Sequence, residues 1–229
     1  LTSLITRPEH VTASLTSCPE VMVNGVNSGQ DSEELLKNCN VIAIGPGLGQ
    51  SAWSEQLLQR VYWEAEERDV PVIMDADALN LLTKLKLSSK LPKNLVITPH
   101  PGEAARLLKT DVADIEDDRF KSTLRLQEKF NATVVLKGAG SIIGYKKNGI
   151  MNYGICSAGN PGMAKGGMGD TLTGIIAGLI AQGFKLNEAS EIGVDLHSKA
   201  ADLASMEVGE IGLTPTDVID AMRELIKYD

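Results

Sequence analysis

The chain has 229 residues, a formal charge of −8, 43% hydrophobic but only 4% aromatic side chains, and three cysteines. The acidic balance, with no Lys/Arg run and no interleaving of aromatic with basic residues, excludes wrapping of nucleic acid. No run of about 18 apolar residues is available to span a membrane. Cys18, Cys39 and Cys156 are odd in number, far apart and without a C-x-x-C pair; this argues against a disulfide framework or zinc site and for a reducing cytoplasm.

The opening LTSLITRPEH lacks the basic-then-apolar pattern of a secretion signal. Because the chain opens on Leu1 with no Met, elements of its fold are expected upstream. From 41 onward the pattern is regular. Apolar, β-rich runs at 41–44, 70–74, 95–98 and 134–136 are each bounded by Gly, Pro or Asp, and the first three lead into helix-like segments. Helices are expected at 51–67, 77–86, 101–108, 118–130, 171–182, 187–206 and 215–227, with Pro101 and Pro215 in first turns. Strands apolar on both faces imply a mainly parallel sheet between two helix layers. After Leu136 the runs SIIGYKK and IMNYG flank Asn148-Gly149, the signature of a β-hairpin. No repeat or linker divides residues 1–229, so one domain is expected.

In such sheets ligands bind beyond the carboxyl ends of the strands. Those ends read GPGLG (from Gly45), DADALN (from Asp75), TPHPGE (from Thr98) and KGAGS (from Lys137). GPGLG alone reads equally well as a tight turn, and neither G-x-G-x-x-G nor G-x-x-x-x-G-K-[ST] is present. Asp77 is expected to cap the helix that follows it, leaving Asp75 open to a metal-linked role. His100 and Glu103 stand three apart at a strand-to-helix junction, where Glu103 could hold a water on Mg²⁺ near phosphates. His10 and His197 have no ligand-like neighbours in sequence and read as structural.

The stretch GNPGMAKGGMGDTLTGIIAGLIAQG, from Gly159, is the most informative. Glycines before an apolar helix expose backbone N–H groups at the positive end of its dipole, which suits phosphate. Asp170 brings negative charge into that anion site. A base that takes a proton from an attacking hydroxyl belongs there; the alternative is that Asp170 only caps a helix over 171–182.

In order, GPGLG, DADALN, TPHPGE, KGAGS and NPGMAKGGMGD resemble the ADP-dependent NAD(P)H-hydrate dehydratases, a carbohydrate-kinase-like domain found alone or fused to an NAD(P)H-hydrate epimerase. The likeness runs from Arg7 to the C-terminus. It implies a ribokinase-like three-layer α/β/α sandwich. It also implies phosphorylation of the ring hydroxyl of hydrated NADH or NADPH by ADP (ATP in eukaryotic members), followed by loss of phosphate. Asp170 would be the base, with Gly166, Gly167, Met168 and Gly169 as the anion hole. Gly47, His100 and Asp170 would contact the hydrated dinucleotide. Lys137, Gly138, Ala139, Gly140 and Ser141, with Gly169, would line the adenine-nucleotide side. Where sugar kinases carry Asn-x-x-Glu to organise Mg²⁺, this chain has His100-Pro-Gly-Glu103.

The resemblance further implies Mg²⁺ with the nucleotide and a homo-oligomer. The sequence departs from the family at Lys165, where a small hydroxyl residue is usual, and in the strand, glycine loop and helix that normally precede LTSLITRPEH. An N-terminal segment or epimerase domain is therefore expected to be missing. Two rivals stand: a vitamin-precursor kinase of the same fold, and a non-catalytic nucleotide-binding module.

Overall fold

The structure, a computed structural model, describes residues 1–84 and 91–228. It opens with β1 (Ser3–Thr6), α1 (Val11–Ser17) and β2 (Met22–Gly25); the two strands pair in parallel as a small sheet of their own. The short α2 (Glu33–Leu36) leads to β3 (Ile42–Ile44), and then helices alternate with strands: α3 (Ala52–Arg68), β4 (Val72–Met74), α4 (Ala76–Lys84), β5 (Leu95–Ile97). Three helices follow, α5 (Pro101–Leu108), α6 (Val112–Asp117) and α7 (Arg119–Phe130), then β6 (Thr133–Leu136). The hairpin β7 (Ile142–Lys147) and β8 (Ile150–Ile155) precedes α8 (Met168–Ala181), α9 (Leu186–Val208) and α10 (Pro215–Leu225).

The larger sheet has six strands in the order β3-β4-β5-β6-β7-β8; β3 to β6 run parallel and the hairpin is antiparallel. Its period-2 alternation divides the core. Val72, Met74, Leu95, Ile97, Val134 and Leu136 pack with α3 to α7 through Leu58, Leu79, Leu107 and Leu126. Ile73, Val96, Val135 and Ile143 face the other way onto Leu172, Ile176 and Ile180 of α8 and Val194 of α9. These are the three layers expected from runs apolar on both faces. Asn148 (φ 53°) and Gly149 (φ 78°) turn the hairpin, as its Asn-Gly pair requires.

Three expectations need correction. The parallel rhythm starts before 41: β1 and β2 are four-residue strands with no buried residue, so they lack the apolar run that marks a doubly covered strand. The helix expected from 171 starts at Met168, because Met168 is 4% exposed and packs against Ala200, Ala204, Leu213 and Val218, drawing the first turn inward. The helix expected over 77–86 begins at Ala76, and residues 85 and 86 lie outside the described residues.

Candidate active site

The parallel topology brings the carboxyl ends of β3, β4, β5 and β6 to one edge, so Gly45, Asp75, Thr98 and Lys137 follow one another across it. At β3, Gly45 has φ 131° and Gly47 φ 63°, and the Leu48 N–H closes a turn on the Gly45 carbonyl at 3.1 Å. Asp77 accepts from the Gly49 N–H (2.9 Å) and Gln50 Nε2 (3.0 Å). The expected cap of its own helix is therefore wrong. Asp77 lies inside the first turn of α4 and reaches across to hold the GPGLG turn.

At β5, His100 and Glu103 make a reciprocal cap for α5. The Gly102 N–H donates to His100 Nδ1 at 3.0 Å, and the His100 N–H donates to Glu103 Oε2 at 2.8 Å. Desolvation depresses the His100 pKa, partly offset by Glu103; this suits a neutral ring whose Nδ1 accepts. His100 Nε2 lies 3.5 Å from Glu103 Oε1. The Glu103 carboxylate is thus occupied, is 5% exposed, and lies 3.9 Å from the Lys137 ammonium. It does not fit a direct metal ligand, and among the described residues no group of three His, Cys, Asp or Glu side chains forms a metal site.

At β6, the Lys137 ammonium bonds Asp75 Oδ1 at 2.6 Å. The next loop is held from α7: Arg119 donates to the Ala139 carbonyl at 2.7 Å and the Leu136 carbonyl at 3.2 Å. Gly138 (φ 151°) and Gly140 (φ 72°) supply the bends, and Ser141 Oγ donates to the Gly138 carbonyl at 3.3 Å. Asp75 is 1% exposed with both oxygens bonded, to Lys137 and to Thr173 Oγ1 (2.9 Å). That excludes the metal-linked role left open for it.

The glycine loop meets this array at the start of α8. Gly167 (φ 90°) occupies the N-cap position and offers no side-chain cap. Met168, Gly169 and Asp170 form the first turn, where helix N–H groups have no partner within the helix. Asp170 is therefore not the cap: it sits at the third helical position, and its side chain makes no hydrogen bond among the described residues. Desolvation and the neighbouring Asp75 carboxylate raise its pKa, with Lys137 opposing them. A Cβ on Gly169 would lie 3.0 Å from Lys137 Nζ, which places KGAGS and the anion loop back to back. The loop is anchored from α9: Asp202 accepts from the Gly159 N–H (2.8 Å) and Asn160 Nδ2 (3.0 Å).

A cavity of about 810 Å³ is lined by Asp170, Gly45, Gly47 and Trp53 and by β1, Arg7 and His10. Gly47 and Asp170 share it; His100 and the residues 137–141 lie outside its lining. His10, expected to be structural, stands on its wall. Arg7 lies 4.7 Å over the Trp53 ring and donates to Ser51 Oγ at 2.9 Å. Sequence reading missed Arg7, Arg119 and Asp202. Each acts on a partner far along the chain, and only the Arg of the opening segment lies near a recognisable motif boundary.

The family model described as NAD(P)H-hydrate dehydratase matches residues 1–224. The chain belongs to that family. The bifunctional NAD(P)H-hydrate repair enzyme Nnr of Coxiella burnetii is 45% identical over 226 residues, which cover 99% of this chain and 44% of that protein. The chain thus spans less than half the length of that relative. A ribokinase-like superfamily protein of Enterococcus faecalis superposes with a TM-score of 0.85 at 33% identity, covering 99% of this chain and 76% of that one. The Bacillus subtilis ADP/ATP-dependent NAD(P)H-hydrate dehydratase, co-crystallised with ATP/Mg²⁺ and soaked with CoA, gives a TM-score of 0.79 at 27% identity, covering 99% and 81%. The fold is ribokinase-like, as the motifs imply, and the chain carries it with a mainly parallel sheet.

Proposed function

We propose that this chain restores hydrated NADH or NADPH to the reduced dinucleotide at the expense of ADP or ATP. The observation that carries the reading is Asp170: a carboxylate without a hydrogen-bond partner among the described residues, lining an 810 Å³ cavity and set in the first turn of α8, where N–H groups have no partner within the helix. A carboxylate there serves no cap, and its raised pKa makes it a better proton acceptor.

In the proposed reaction the hydrate's ring enters the cavity between Gly47 and Asp170, and the nucleotide lies along 137–141 with its terminal phosphate at Gly166 to Gly169. Asp170 takes the proton of the ring hydroxyl as that oxygen attacks the terminal phosphorus. The bond from phosphorus to the bridging oxygen breaks, and the shortened nucleotide leaves with the electron pair. The ring nitrogen's lone pair then expels inorganic phosphate, and loss of a ring proton restores the reduced nicotinamide. The protein's part is positioning, proton removal and charge stabilisation by N–H groups and Lys137. Since Glu103 does not fit a direct metal ligand, Mg²⁺ is proposed to arrive with the phosphates and no step is assigned to it.

Three further elements belong to the proposal. Residues of β1 and of β3 both line the cavity, and each strand is paired on one side only among the described residues, which supports completion of this unit by further polypeptide there. Ile150 (69% exposed) and Ile155 (63%) on the edge strand β8 support assembly of several copies. Three free cysteines support a reducing cytoplasm.

The test is a hydrate assay with ADP and with ATP, following the absorbance of the reduced nicotinamide. Recovery dependent on nucleotide is expected. Accumulation of a phosphorylated product without dehydration would establish the kinase instead, and a thermal shift with ADP but no turnover would establish a binding module.

A further inference from the structure

Asp75 is the most deeply buried carboxylate at this edge among the described residues, and the proposed chemistry leaves it without a part. Three elements converge on it. Its own strand β4 presents the carboxylate, β6 brings Lys137 Nζ to Oδ1 at 2.6 Å, and α8 brings Thr173 Oγ1 to Oδ2 at 2.9 Å. At 1% exposure the carboxylate keeps its charge only because it is paired and hydrogen-bonded on both oxygens. Lys137 is held in turn. Its second carboxylate, on Glu103, is 3.9 Å away, and the main-chain N–H of Lys137 donates to the Pro99 carbonyl at 2.9 Å. The pair lies directly against the first turn of α8, since a Cβ on Gly169 would stand 3.0 Å from Lys137 Nζ and 3.5 Å from Asp75 Oδ2.

We infer that Asp75 is a positioning residue: it fixes the Lys137 ammonium behind the Gly169 backbone and balances that ammonium's field at the Asp170 carboxylate. The inference rests on the reading of Asp170 as the base. The charged groups facing Asp170 are Asp75 from β4 and Lys137 from β6; Arg7 and His10 line the same cavity, and Glu103, 3.5 Å from His100, lies 3.9 Å from Lys137. The two near groups act in opposite senses, Asp75 tightening the hold of Asp170 on a proton and Lys137 loosening it. An unbalanced lysine would lower the basicity of Asp170, which is the property the hydroxyl proton needs. With the pair in place, the ammonium can serve phosphate at the N–H face of the loop without weakening the base beside it.

The test combines carbon-13 NMR titration of the Asp170 carboxyl in unliganded protein with the pH profile of kcat/KM. Asp75→Asn should lower the Asp170 titration midpoint, move the acid limb of the profile to lower pH, and reduce kcat by about tenfold. Asp75→Asn combined with Lys137→Met removes both charges and should return the midpoint to near its original value. An Asp170 midpoint that does not move in Asp75→Asn, or that the double variant fails to restore, overturns the inference. If Asp75→Asn does not fold, Lys137→Met alone decides: the Asp170 midpoint should then rise, and an unmoved midpoint overturns the inference. The titrations need no turnover, so a parent protein inactive on the hydrate counts against the proposed function alone.

Discussion

The carbonyl oxygen of Asp75 lies 1.8 Å from the point where a Cβ on Gly45 would stand. The two strand ends therefore touch backbone to backbone, and Gly45 also holds φ 131°. Gly45→Ala must displace main chain, with an expected loss of about 3 kcal/mol or more. Gly47→Ala, two residues on, meets nothing within 4 Å at φ 63° and should cost only about 1–2 kcal/mol of backbone strain. Urea unfolding of both variants measures the contrast; equal losses would show that the close approach is not the cause.

Asp170→Asn preserves shape while removing proton acceptance. Turnover should fall by roughly 10²–10⁴, while ADP affinity stays near normal. Stability should change by less than about 1 kcal/mol, since the residue is a first-turn anion and not the cap. Near-normal turnover in this variant, measured beside ADP affinity, would remove Asp170 from the mechanism.

His197 on α9 is 4% exposed with Nε2 unpartnered, and burial lowers its pKa to about 4 from 6.5. The folded pKa lies below the unfolded one, so the unfolded chain binds the proton first. Stability is fully present above pH 6.5 and is lost as pH falls toward 4, by on the order of 3 kcal/mol. His197→Leu should flatten the fall in the denaturant midpoint between pH 7.5 and pH 5. An unchanged slope would assign the acid sensitivity elsewhere.

Asp202 binds the anion loop through one main-chain and one side-chain donor, at 2.8 and 3.0 Å. Asp202→Ala releases Gly159 and Asn160 together, and ADP should bind about tenfold more weakly, the worth of one or two hydrogen bonds. Calorimetric titration with ADP checks this. Undiminished affinity would mean that the loop keeps its shape through Gly167 and Met168 alone.

Local chemistry carried most of the reading. The runs that became β4 to β6 announced themselves because both faces of each strand are buried, whereas β3 buries Ile42 and Ile44 and leaves Ala43 exposed; the anion loop was legible because its glycines crowd before an apolar helix. What was not legible depends on partners distant in sequence. Asp202 and Gly159 are 43 residues apart and Arg119 and Ala139 are 20 apart; nothing in their neighbourhoods marks them as clamps. Asp77 misled for a related reason. As an acidic residue at a helix start it looks like a cap, yet its partners are 27 and 28 residues back, on another turn. Lys137 was expected to face nucleotide, and only the fold shows that its charge is already shared with Asp75.

The β1–β2 sheet is joined to the six-stranded sheet by no strand ladder among the described residues. It hangs from the first turns of α3: Arg7 rests on Trp53, Trp53 Nε1 donates to the Val26 carbonyl at 2.9 Å, and the Gly29 N–H reaches Gln56 Oε1 at 3.4 Å. The cavity is therefore a vice with unequal jaws. Asp170 sits on the jaw braced by the sheet, while the opposing jaw is suspended from side chains. On the proposed reading, adjustment to a bound ring would fall to the suspended jaw, while Asp170 on the braced jaw would keep its place.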